Sequence, residues 1–376
     1  MHLPRFGGGS ALADRQKESA PESSLTAFSG SRKSNKIRSV TVGLSEYPAI
    51  TLAIFLGILI VLFSTLAGGF FTTPNLIAIL TGASALAIIS MGQTFTIIAG
   101  GFDLSVAGVA PLAAVLYAQL TNVGIPPIAS IALVVLLGAI VGTINGFVIS
   151  RLNINPLIAT LAMLSIAGGA AFAVSGGVTV SFSGTSAAFL NGMVVGEVQL
   201  FVVVTVVLAV VSGLFLRYTV LGRNIYAVGS NLEASNLAGL RTRAILLFVY
   251  AVSAGLAALA GIVVASQLFA GSGTIGSDYA LLSIAAVVLG GAALTGGEGG
   301  IGGTVLGVAI IAVIGNGLQL LQISSFYQTI TTGVILLAAV ASQQLRRAIA
   351  RRLALKEAVA GSQGLRAKSQ QDSIKN

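Results

Sequence analysis

The chain has 376 residues, 55% of them hydrophobic and only 8% charged, with a mean hydropathy of +0.96; soluble domains carry about 25% charged residues, so a soluble fold is excluded and a membrane protein is indicated. The net charge of +9 does not point to nucleic acid, because Lys and Arg flank apolar runs, where they report membrane orientation, and no nucleic-acid-reading module interrupts those runs. Cysteine is absent and the one histidine, His2, stands in a polar tail, which excludes disulfides, thiolate metal sites and cysteine nucleophiles.

Residues 1–46 are rich in Ser, Lys and Arg and poor in apolar clusters, the composition of a disordered basic tail. From residue 47 the uncharged runs are counted in span-lengths of about 20 residues. The stretch 47–102 holds two spans, broken at Gly68-Gly69 and Pro74-Asn75, and 104–150 holds two more, broken between 121 and 127. One span follows at 156–174, then a Ser/Gly/Thr-rich segment, 175–196, too polar to cross. A span at 198–216 leads into a polar island, 217–243; beyond it come 244–270, the short run 281–294, 301–321 and 326–343, before a second basic tail, 346–376. The expected fold is all-α: a polytopic transmembrane bundle of about ten spans over 47–345, with 217–243 as its large inner loop.

Every Lys and Arg lies in the N-terminal tail, at Arg151, in the island, or from Arg346 onward. An even number of spans separates each group from the next, so all positive charge falls on one side, the cytoplasm by the positive-inside rule, along with both termini. Glu197 and Asp278 are the charges left outside. A shift of about 171 residues, the distance from Asn145 to Asn316, carries spans two to five onto seven to ten with reversed orientation, the pattern of an inverted repeat. Gly138, Gly142 and Gly146 stripe the fourth span and Gly299, Gly303 and Gly307 enter the ninth; small residues four apart let backbones approach closely, so both stripes are read as helix packing rather than pore lining.

Within the island, Ser230 followed by Glu233 is a capping box and Gly239 a helix stop, which predicts a short helix carrying Leu232, Ala234, Leu237 and Ala238 as its apolar surface. About two turns do not persist alone in water, so the helix packs on something, and another protein is the proposed partner; a solvated loop is the competing reading. Asp103, at the inner end of span two, is read either as a functional intramembrane carboxylate or as a plain helix cap. Glu298 sits in the glycine-rich bend Thr295-Gly296-Gly297-Glu298-Gly299-Gly300, which is read as half of an inner gate, with 100–105 as the other half, or as a crowded turn. No G-x-x-x-x-G-K-[ST] occurs, so nucleotide is left to a partner.

These stretches resemble one family. Glu233-Ala234-Ser235 ending at Gly239 is similar to the EAA-type loop of ATP-binding-cassette (ABC) importer permeases, and 222–229 resembles the same loop in the ribose/xylose type, within the branched-chain amino acid/ribose permease superfamily. Gly100-Gly101-Phe102-Asp103-Leu104-Ser105, Asn145-Gly146, 154–160, 289–299 and Asn316-Gly317-Leu318 match in the same order, covering most of 50–343. The resemblance implies a type II-like permease of the bacterial inner membrane, a homodimer or a pair with a paralogous permease. It also implies that a separate ATPase carries ATP and Mg, and that an extracytoplasmic sugar-binding protein delivers the substrate. On this reading no catalytic residue, metal or cofactor belongs to this chain. Ser230, Glu233, Ala234, Leu237 and Gly239 are the ATPase-coupling candidates; Gln93, Phe102, Asp103, Ser105, Asn145, Glu298 and Asn316 the translocation or gate candidates; Glu197 and Asp278 the binding-protein dock. Uncharged polar residues within the spans, among them Gln93, Thr94, Ser165, Ser253, Gln267, Asn316 and Gln319, suit a neutral polyhydroxylated solute. Import of branched-chain amino acids or nucleosides, and ion-coupled secondary transport through Asp103 and Glu298, stand as alternatives.

Overall fold

The computed structural model describes residues 48–184 and 189–324 and scattered positions between 326 and 341. Both expected tails, and most of the expected tenth span at 326–343, lie outside the described residues. The described chain is helical: α1 (Pro48–Leu66), α2 (Thr73–Ile98), α3 (Val106–Asn122), α4 (Pro127–Leu152), α5 (Pro156–Ser175), α6 (Leu200–Tyr218), α7 (Val220–Ser230), α8 (Leu232–Leu237), α9 (Thr242–Leu268), α10 (Tyr279–Leu289) and α11 (Ile301–Leu320). Four two- or three-residue strands complete it: β1 (Val180–Ser181), β2 (Met193–Val195), β3 (Val198–Gln199) and β4 (Ala270–Gly271). β1 pairs with β4 and β2 with β3, both antiparallel. Local chemistry sets the helix starts, with Pro in the first turn of α2, α4 and α5, where no N–H is needed.

Among the described residues, seven helices are long and apolar enough to cross a membrane: α1, α2, α4, α5, α6, α9 and α11. Two of the expected spans are shorter. α3 has 17 residues and α10 has 11, lengths of about 26 and about 17 Å at 1.5 Å per residue. α3 is buried along nearly its whole length, packed by α9, α5 and α4. Irregular, glycine-rich backbone precedes α3 and follows α10. Such backbone at membrane depth is tolerated where protein covers it, and the first segment, 99–105, is covered by α9 and by the end of α4 (below). The expected repeat is visible in the helix order: the shift of about 171 residues takes α2 onto α9, α3 onto α10 and α4 onto α11.

The glycine stripes are packing devices. A Cβ on Gly142 would lie 2.1 Å from the Tyr250 carbonyl oxygen, one on Gly138 2.6 Å from Ala258 Cβ, and one on Gly146 2.7 Å from Leu247 Cα. α4 thus lies backbone to backbone on α9, and these two helices share the most extensive interface in the bundle. α11 meets α10 in the same way: a Cβ on Gly303 would lie 2.0 Å from the Gly290 oxygen and one on Gly307 2.0 Å from the Ala286 oxygen. Burying oil gives no driving force between helices in lipid, so this close van der Waals contact is what holds such pairs together.

The bundle has two chemically distinct ends. Arg151, Arg241 and Arg243 line one cleft with Gly100 and Thr295, and Arg217 and Arg223 line a neighbouring groove with Gly300, so the described basic residues gather at one end. At the other, side chains tie helix ends, connections and a strand together: Asn122 donates to the Ser181 oxygen of β1, Asn191 to the Ser266 oxygen of α9 and Gln119 to the Val174 oxygen of α5. Glu197, in the β2–β3 turn, and Asp278, just before α10, are both exposed there.

Candidate functional site

The polar island folds into two helices, not one. Thr219 caps α7, its hydroxyl accepting from the Gly222 N–H at 2.9 Å, and Ile225 and Val228 are buried. This corrects the capping box expected at Ser230 and Glu233. Ser230 is the last residue of α7, with its hydroxyl donating back to the Tyr226 oxygen at 2.8 Å. The chain turns one residue later, where Asn231 is extended and its side-chain oxygen accepts from the Ala234 N–H at 2.9 Å. α8 is therefore six residues long, with Glu233 in its first turn. Gly239 takes a left-handed φ of 81° and, with the Leu240 N–H bonded to the Ser235 oxygen, ends it as expected. Ser235 is the buried residue of α8, whereas Leu232 and Leu237, expected on its apolar surface, are 48% and 85% exposed. Apolar groups point away from the protein that carries them, and Ala234 and Glu233 are exposed beside them.

α7 ties this exposed rod to the mouth of the bundle. A Cβ on Gly229 would sit 1.7 Å from the Ile98 oxygen, at the end of α2, and 2.8 Å from the Gly297 nitrogen. That nitrogen donates to the same Ile98 oxygen at 2.9 Å. Three elements, α7, the end of α2 and the glycine-rich segment 290–300, thus meet with no side chain between them. Tyr226 adds a fourth contact, its hydroxyl donating to the Gly299 oxygen at 2.8 Å; burial pushes this phenol above its ordinary pKa. The two glycine-rich bends come together, although Glu298 itself is exposed and outside the polar cluster described next.

Four of the seven gate candidates form one buried network behind that junction. Asp103 lies in the connection between α2 and α3 and is fully buried. Its Oδ1 accepts from both the backbone N–H (3.0 Å) and the hydroxyl of Ser105, and Asn145 of α4 donates to the Ser105 hydroxyl at 2.8 Å. Gln93 of α2, with its amide oriented to satisfy both ends, donates to the Asp103 carbonyl at 3.1 Å and accepts from the Asp103 N–H at 3.2 Å. The cap reading of Asp103 is thus met by one oxygen; the other, Oδ2, is buried without a hydrogen bond. Burial holds this carboxyl above the usual carboxylate range, against the opposing pull of Ser105 and Ser253. Phe102 joins through its backbone, its carbonyl accepting from the Tyr250 hydroxyl at 3.3 Å. Gly101 lies against that same hydroxyl, which a Cβ would approach to 2.3 Å.

Asn316 is elsewhere. It exchanges two side-chain hydrogen bonds, at 2.8 and 3.1 Å, with Asn75 at the start of α2. Other polar groups expected to favour a sugar are likewise spent on helix contacts: Thr94 bonds Thr304 of α11 at 2.7 Å and Gln267 bonds the Thr81 oxygen at 2.9 Å. Sequence reasoning placed Ser253 within a span without assigning it a partner, did not single out Tyr250, and gave Gly229 and Asn75 no part in the site. A run of apolar helix does not show which of its faces meets a distant loop.

The family model described as branched-chain amino acid transport system / permease component matches residues 75–340. The ribose import permease protein of Haemophilus influenzae is 38% identical over 288 residues, 75% of this chain and 89% of that protein. The ribose import permease protein of Bacillus subtilis is 35% identical over 291 residues, 76% of this chain and 90% of that one. The D-allose transport system permease protein of Escherichia coli is 32% identical over 293 residues, 77% and 90% of the two chains. No solved structure matches the chain. With the junction, the buried network, the helices α3 to α11 and all of α2 but its first two residues inside the matched region, the chain belongs to the branched-chain amino acid transport system permease component family.

Proposed function

We propose that this chain is the membrane-spanning permease subunit of an ATP-driven importer, admitting a monosaccharide or similar polyol delivered by a periplasmic binding protein. ATP and Mg are handled by a separate ATPase, whose movement enters through α8; two permease subunits, identical or paralogous, enclose the path. The protein sits in the bacterial inner membrane with its basic end in the cytoplasm. Relatives named for ribose and allose support the substrate class. The observation that carries the mechanical part is the outward apolar surface of α8, one turn of backbone away from the Gly229 junction. A six-residue helix with Leu237 85% exposed is unfinished on its own. Import of branched-chain amino acids or nucleosides and ion-coupled transport are not favoured by those relatives.

Leu237→Asp tests the coupling role without touching the bundle. Loss of one anchor is worth about 2 kcal/mol, so association with the cognate ATPase is expected to weaken about thirtyfold, and uptake to fall with it, while insertion and melting temperature stay unchanged. Wild-type association by the purified variant would sink the assignment. At the opposite end, reversing Glu197 and Asp278 together to Lys is expected to slow binding-protein association, since charge placed at a rim acts on encounter rate; stopped-flow kinetics at low salt read it directly.

A further inference from the structure

Among the described residues four buried side-chain atoms lack a hydrogen-bond partner: Ser90 Oγ, Ser150 Oγ, Asp103 Oδ2 and, on α9, Ser253 Oγ. The last two belong to one place, because the Ser253 hydroxyl acts on the Asp103 carboxyl. Each element packed around this carboxyl contributes an uncharged group: Gln93 from α2, Ser105 at the start of α3, Asn145 from α4, and Ser253 and Tyr250 from α9. Among the described residues Tyr250 is the one other titratable group facing it, and no Lys, Arg or His pairs with it. A fully buried carboxylate with no countercharge costs several kcal/mol. The neutral acid avoids that cost: Oδ1 keeps accepting from Ser105, while an O–H on Oδ2 donates to Ser253 Oγ in place of the bond that the carboxylate would accept from the serine hydroxyl.

We propose that Asp103 is a proton-binding site, whose Oδ2 proton bonds Ser253 Oγ when the α2–α3 connection is seated on α9, and is exchanged with water at the basic end when that connection lifts. The exchange is carboxylate plus solvent proton to carboxylic acid, with no other reactant. A cleft of about 940 Å³ lined by Gly100, Gly101, Arg151, Arg241 and Tyr250 opens beside the connection and supplies the route. Seating favours the acid form, so the carboxyl has a higher pKa seated than lifted. The seated arrangement is accordingly favoured at low pH and loses that advantage as pH rises through the seated-state pKa.

The protonation itself does not depend on the transport reading, and the two are separable by experiment. In infrared difference spectra of the purified protein at neutral pH, wild type is expected to show the carbonyl band of a buried carboxylic acid, absent in Asp103→Asn and displaced in Ser253→Ala, where the hydrogen bond is lost. In vesicles with its partners, Asp103→Asn is expected to keep more uptake than Asp103→Ala, because its amide donates to Ser253 and accepts from Ser105 as the neutral acid does. Its uptake should also be flat with internal pH, whereas that of wild type falls as pH rises. Asp103→Ala is expected to lose at least about tenfold. A wild-type spectrum without the acid band, or an inserted, folded Asp103→Asn as inactive as Asp103→Ala, overturns the proposal. Absence of uptake in wild type with every partner present would count against the transport reading alone and leave the spectroscopic arm standing.

Discussion

Gly229→Ala is expected to abolish uptake, the largest loss from any single methyl group in this protein. The added carbon would fall 1.7 Å from the Ile98 oxygen and 2.8 Å from the Gly297 nitrogen, the acceptor and donor of the bond that closes the junction. Neither atom is the flexible tip of a side chain, so α7 must lift off the end of α2 or the Gly297 to Ile98 bond must break. Overpacking of this kind costs about 1–3 kcal/mol in stability, and here the strain falls where the exposed rod meets both glycine-rich bends. Uptake should therefore fall further than the melting temperature suggests. Gly82→Ala is the matched control, since nothing lies within 4 Å of its Cβ position. Equal uptake by the two variants in the same vesicles would show that motion does not pass through Gly229.

Gly142→Val is expected to be the most destabilising change in the membrane core. Its first added carbon would stand 2.1 Å from the Tyr250 carbonyl oxygen and 2.8 Å from Ala254 Cβ, and valine adds two more carbons to a seam with no room. α4 and α9 must separate, at a cost of about 3 kcal/mol or more. The shift also moves Tyr250, whose hydroxyl holds the Phe102 carbonyl and abuts Gly101. Lower thermal stability in detergent and lower uptake are both expected. A variant as stable as wild type would mean that the backbone contact is not a source of stability.

Much of the architecture could be read from the chain because a membrane simplifies the code: long uncharged runs, breaks at Gly and Pro, and Arg collected on one side. The glycine stripes at 138, 142 and 146 were legible for the same reason, since a spacing of four has one geometric meaning on a helix. The polar island was harder. Ser230 and Asn231 are both good caps, and only the packing of Ile225 and Val228, which prolongs α7 to Ser230, decides between them. The end of α10 was less legible, because hydropathy does not register where a buried helix gives way to irregular backbone: the helix stops at Leu289, although the short apolar run continues to 294. The cluster at Asp103 was half visible. Gln93, Ser105 and Asn145 stood out as polar groups in oil, but Ser253 on a distant helix carries no local sign that it faces a carboxyl.

The paired seams, α4 against α9 and α10 against α11, have a mechanical consequence. Where carbonyl oxygens rest directly on glycine backbone, sliding or tilting by even an ångström opens a void or a clash, so each pair behaves as a single stiff plate. α2 touches both plates, with Asn75 pinning one of its ends and Ile98 the other. Any reorientation of this protein is therefore a rocking of two plates about that shared axle, with the flexible backbone confined to the short glycine-rich straps at its rim.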